Sequence, residues 1–129
     1  MDLSDIVSEV ADQERGAWFD IADPVTGEPT GIRFKIAGPD SETQHRAQLA
    51  LADELTALAG PDGMVSAEQR ERARIGCLAK CVLDWTVTED GEPVPFSHKN
   101  VVRVLRAAKW LQAQVDAFAD DRAAFRGAK

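Results

Sequence analysis

Apolar residues recur along this chain with two different periods, and the changes of period divide it into elements. Leu3, Ile6, Val7 and Val10 stand at i, i+3, i+4 and i+7, the spacing that lines one face of a helix. Helices this short are marginal in water by themselves, so residues 1–15 are expected to form either an arm that packs on something or a frayed end. From Ala17 the period becomes two. Ala17, Phe19 and Ile21 share one face of a strand, and Ile32, Phe34 and Ile36 alternate with Arg33 and Lys35 in a second. Between them, "ADPVTGEPTG" supplies the prolines and glycines of a turn, which predicts a β-hairpin over 17–37.

Helical spacing then returns. Asp40 or Ser41 is placed to cap a helix whose stripe is Ala47, Leu51, Leu55 and Leu58, ending at Gly60-Pro61. Ser66 and Gln69 form a capping signature for a helix over about 67–85, with Ile75, Leu78, Val82 and Trp85 facing a core. "TVTEDGEPVPFSHKNV" follows. Asp90-Gly91 is a turn dipeptide, Pro93 and Pro95 stiffen the path, Phe96 is expected to be driven inward, and Ser97 is placed to cap a helix from His98. A last helix is expected from about Trp110 to Phe125, with Leu111, Val115 and Phe118 on its stripe. "RAAKWLQ" contains no breaker to separate it from the helix before. The fold class is therefore α+β: an N-terminal β-hairpin packed on a helical region, 40–126, of about four helices.

Composition narrows the function. At 129 residues the chain has the length of one domain, and no apolar run is long enough to span a bilayer. Its acidic start lacks the features of a secretory signal, which predicts a protein retained in the cytoplasm. The net charge of −7 is unevenly spread: residues 1–64 carry 13 acids and 4 bases, whereas 65–129 carry 9 acids and 11 bases. Such a balance disfavours nucleic acid and points to a protein partner; the asymmetry between the halves suits docking between copies, but it reads first as an ordinary solvated surface.

No constellation of residues points to catalysis, a metal or a cofactor. Cys77 and Cys81 lie four apart on one predicted helix, where a strain-free disulfide is not expected. Neither histidine, His45 or His98, stands at zinc-ligand spacing from them. Buried core thiols are the expectation. Ser97 beside His98 has no third group to complete a nucleophilic arrangement, and capping accounts for it. The pairs Glu89-Asp90 and Asp120-Asp121 lack the alternating oxygen pattern of a calcium loop. Arg70, Arg72, Arg74 and Lys80 have no interleaved aromatics of a base-stacking platform.

Three stretches, taken together, resemble the tail assembly chaperones of long-tailed bacteriophages and prophages of proteobacteria. They are "GAWFDIADPVTGEPTGIRFKIAGPDSE", "VLDWTVTEDGEPVPFSHKN" and "WLQAQVDAFADDRAAF", centred on Trp85, Asp90, Gly91, Pro93, Pro95, Phe96, Ser97 and Asn100. Asp84 stands where many relatives have glycine, and a proline often found between the last two helices is missing. The resemblance implies a non-enzymatic assembly factor in the host bacterial cytoplasm, absent from the mature virion. Such a factor binds the tape measure protein, keeps it soluble while the major tail tube protein polymerises around it, and works as a homo-oligomer. Large apolar groups are the natural anchors for such a client, and the candidates are Trp85, Phe96, Trp110, Leu111 and Phe118. A structural head-tail or tail adaptor is the alternative.

Overall fold

In the computed structural model, which describes residues 1–126, Asp2 opens the first helix, α1 (Leu3–Arg15). Its carboxylate accepts from the amides of Ser4 and Asp5, and Asp5 reaches back to the Asp2 amide, so three amides at this end find acceptors. Gly16 turns the chain into β1 (Ala17–Ala22), which pairs antiparallel with β2 (Pro29–Ile36). The hairpin loop is closed by Asp23, whose carboxylate accepts from the amides of Val25 and Thr26 at 2.8 and 3.1 Å. Ser41 caps α2 (Glu42–Leu58), and Ser66 with Gln69 forms the capping box of α3 (Ala67–Lys80).

The mixed α+β fold with an N-terminal hairpin is as expected, but the helical region holds a third strand. The helix expected to reach residue 85 stops at Lys80, and β3 (Val82–Thr86) pairs antiparallel with β2, completing the order β1-β2-β3. Val82 and Trp85 are buried in either arrangement. What decides between them is the free edge of β2, whose backbone groups need a partner that a longer helix does not supply. A two-stranded hairpin would also be marginal, and the third strand makes it a sheet. After β3 come the short β4 (Thr88–Glu89) and β5 (Glu92–Pro93), turned by Asp90 (φ 52°) and Gly91 (φ 81°).

The C-terminal half differs in a second way. α4 (His98–Ala107) and α5 (Lys109–Ala119) are separate helices, broken at Ala108 in extended conformation, and a 3-10 turn, Arg122–Phe125, follows. Neither break has a proline or glycine, and glutamines explain both. In an unbroken helix the Leu105 carbonyl would accept from the amide of Lys109; here it accepts from Gln112 Nε2 at 3.1 Å. The Ala119 carbonyl, which would accept from Ala123, instead takes Gln44 Nε2 at 2.7 Å, while the Ala123 amide donates to the Asp121 carboxylate at 3.1 Å. The expected helix through Phe125 therefore ends at Ala119. Phe125 is still buried, because the 3-10 turn folds it back against Phe118, ring centroids 5.2 Å apart.

The core lies between the inner face of the sheet and α3, α4 and α5, with Phe34, Ile36, Val101, Leu105 and Val115 fully sealed. Phe19 of β1 stacks on Phe118 of α5 at 4.6 Å. β1 is an edge strand, and Gln114 of α5 closes part of that edge, donating to the Ala22 carbonyl at 2.8 Å and accepting from its amide at 2.9 Å.

A polar knot ties α1 to the rest. Arg122 grips Asp40 with two hydrogen bonds of 2.8 and 2.9 Å, Gln13 Nε2 donates to the same carboxylate at 3.2 Å, and the Gly38 amide donates to the Gln13 carbonyl at 2.9 Å. The Arg122 hydrogen bonds hold the Asp40 carboxyl below the usual carboxylate range. A depressed pKa in the folded state contributes stability that is present above the ordinary value of 3.8 and is lost as pH falls through the lower folded value. Asp40→Asn should therefore flatten the acid limb of the stability curve below about pH 4 and leave its slope near neutrality unchanged. Urea midpoints measured from about pH 2 to 7 check this, and an acid limb as steep as in the parent chain would contradict it.

Candidate functional site

The anchors expected from the sequence separate into two groups. Trp85 and Leu111 belong to the core, at 7% and 4% exposure. The Trp85 indole N–H donates to the Val94 carbonyl at 2.9 Å, and its ring packs against Phe34 and, edge-on, against Phe96. Phe118 is half-buried between Phe19 and Phe125. Phe96 and Trp110 are the two that reach solvent, at 43% and 38%. Phe96 is thus not the sealed corner residue the sequence suggests: one edge seats on Trp85 and the remainder stands outside. Proline on both sides of Val94 keeps the segment extended, and Ser97 starts α4 immediately after Phe96, leaving the ring no room to turn inward.

Between Phe96 and Trp110 runs the outer face of α4. Lys99, Arg103 and Arg106 recur at i, i+4 and i+7, and the stretch from Pro93 to Val115 contains four bases and no acid. Arg103 reaches Glu89 at 3.1 Å, and no ion pair to Lys99, Arg106 or Lys109 occurs among the described residues. Glu68 and Glu71 of α3 line the same cleft as Arg106 and Lys109, so the charge on this side is mixed, with bases along α4 and acids beside its C-terminal end.

Two further exposed apolar features lie outside the five candidate anchors. On α1, Leu3, Ile6 and Val7 are 73%, 47% and 58% exposed, so the stripe that predicted this helix faces solvent rather than the core. The period revealed the stripe, but nothing in the sequence showed that the domain would leave it uncovered. On β1, Trp18 lies outward beneath the Arg33 guanidinium, 4.9 Å from the ring centroid.

A cleft of about 450 Å³ lies between α2, α3 and α5, with Leu51, Cys77, Cys81, Arg74 and Asp116 among its lining. Both cysteines are free and buried. Burial pushes the Cys77 thiol up and the Cys81 thiol to about 12, opposite to what a reactive thiolate requires. Arg74 is engaged by the Gln112 side-chain carbonyl. This cleft therefore offers packing surface rather than an activated nucleophile. His45 and His98 are both exposed, and the Ser97 hydroxyl accepts from the Asn100 amide at 3.2 Å, as a helix cap does.

No family model, curated protein or solved structure matches the chain at a significant level.

Proposed function

We propose that this protein is a tail assembly chaperone of a phage or prophage, which binds the tape measure protein in the host cytoplasm and keeps it soluble until the tail tube forms around it. The observation that supports this reading most is the amount of large apolar surface left open: the α1 stripe, Trp18, Phe96 and Trp110. A factor of this kind needs no ATP. It acts by covering apolar surface on its client, and it leaves when tube subunits pack there better. The outer face of α4, with Phe96 and Trp110 at its ends, suits an amphipathic client helix whose apolar positions meet the aromatics and whose acids meet Lys99.

Co-expression with a tape measure protein should raise that protein's soluble yield several-fold and recover the two as a complex. Phe96→Ser combined with Trp110→Ser should abolish both effects while the chain stays folded by circular dichroism. An unchanged yield with no co-purification would sink the chaperone reading. The head-tail adaptor alternative makes the opposite prediction for purified virions: an adaptor remains in the particle, and a chaperone does not.

A further inference from the structure

The first helix adds no side chain to the hydrophobic core. Gln13 is the one buried residue of α1, none of its apolar side chains packs on the core cluster, and Leu3, Ile6 and Val7 face solvent. A polar seam holds it instead. Glu14 accepts from the Glu42 amide and the Thr43 hydroxyl, both at 2.6 Å, and Glu9 pairs with Arg126 at 3.3 Å. Between them Gln13 is held by the Gly38 amide and by Asp40, which Arg122 grips from the other side. The seat under Gln13 belongs to the domain. Gly38 is buried, and the fully sealed Ser41 donates to its carbonyl from hydroxyl and amide at 2.6 and 3.1 Å. Gln13 lies so close on Gly38 that a Cβ there would come 2.5 Å from Gln13 Cγ. Along the same seam, Glu9, Gln13, Asp40, Arg122 and Arg126 surround Phe125, which is 1% exposed and packs on Phe118.

We propose that α1 is a latch: when the seam breaks, it swings out about Gly16 as one unit, the sheet and α2–α5 stay folded, and Phe125 is uncovered. Water competes for every group in the seam, and the Arg122 and Arg126 side chains are 64% and 67% exposed, so each ion pair is weak. Opening removes no apolar side chain from the core, and its free energy therefore lies well below that of global unfolding. A 13-residue helix without packing is marginal in water, so the released arm unravels and its amides exchange. Salt weakens both charged ties. The open form offers an aromatic surface, Phe125 with Phe118, that the closed form hides. The latch follows from contacts within this chain and does not rest on the chaperone reading.

Native-state hydrogen exchange on the full chain in rising urea tests it. Amides of residues 6–15 should be protected about 10²–10³-fold with little dependence on urea, against about 10⁵-fold or more for Phe34 and Ile36, whose exchange requires global unfolding. Raising salt from about 0.05 to 0.5 M should speed exchange in the arm about threefold. Val101→Ala, in the sealed core, should speed exchange of the sheet at least tenfold and leave the arm within about twofold, because the arm opens without the core. Gly38→Ala sets a wedge under Gln13 and should speed the arm at least tenfold. Hydroxyl-radical footprinting of that variant should find Phe125 oxidised several-fold faster than in the parent chain, with Phe34 still protected. Should Gly38→Ala fail to fold, Arg122→Ala, at an exposed side chain, takes its place in both measurements. Arm amides that exchange with the urea dependence of the sheet, or a Val101→Ala chain whose arm and sheet accelerate alike, would overturn the latch. An arm that opens while Phe125 is oxidised no faster would overturn it as well.

Discussion

Trp85→Ala is expected to cost about 3–5 kcal/mol, a large part of the total stability of a domain this size. The indole is 7% exposed and occupies the junction of three structures. It faces Phe34 of β2 across the sheet, its N–H holds the Val94 carbonyl at 2.9 Å, and Phe96 leans on its ring at 5.8 Å. Truncation leaves a cavity under the sheet and also frees the proline elbow that places Phe96 beside α4. Trp85→Phe keeps most of the apolar volume but leaves the Val94 carbonyl without its donor, and should cost less, about 1–3 kcal/mol. Urea denaturation of the three proteins gives the ranking. A loss below about 1 kcal/mol for the alanine variant would show that the junction does not depend on this side chain.

Gly16→Ala is expected to cost about 2–4 kcal/mol and to act on α1 in particular. Gly16 sits at φ 81°, ψ 170°, a conformation that essentially only glycine adopts. A Cβ there would also lie 2.8 Å from the Ile36 carbonyl oxygen and 2.8 Å from Leu83 Cδ1. Leu83 can rotate away, but Ile36 is fixed in the ladder between β1 and β3. Swinging α1 outward would relieve the contact, breaking the Gly38–Gln13 hydrogen bond and the tie from Gln13 to Asp40. Hydrogen exchange should therefore speed up across residues 3–15 before the sheet opens. Gly27→Ala is the control, since Gly27 has φ 76° but nothing within 4 Å of a Cβ. If the two substitutions cost the same, the close approach at Gly16 does not fix the arm.

Legibility in the sequence followed the range of the forces involved. Where a signal is confined to one turn of chain, it was readable. Ser66 and Ser97 cap the helices they were expected to cap, Ser41 takes the cap that was open between it and Asp40, and Asp90-Gly91 makes its turn, because a cap or a tight turn is decided by atoms two or three residues apart. The fates of the candidate anchors were not readable. Trp85, Leu111, Phe96 and Trp110 are all large apolar groups, and whether each is sealed depends on what arrives from distant parts of the chain.

The chain's local pattern determined its α+β class, the N-terminal hairpin, the capped starts of α2, α3 and α4, and the stripe on α1, since propensity, periodicity and capping act over a few residues. Tertiary structure decided where helices stop and which apolar groups stay outside. β3 exists because β2 has an edge to satisfy, and α4 and α5 end where Gln112 and Gln44 take carbonyls a longer helix would have used. Those donors come from seven and 75 residues away in sequence, beyond the reach of any local pattern. The open α1 stripe and the α4 face between Phe96 and Trp110 are consequences of the same kind: the core was completed without them.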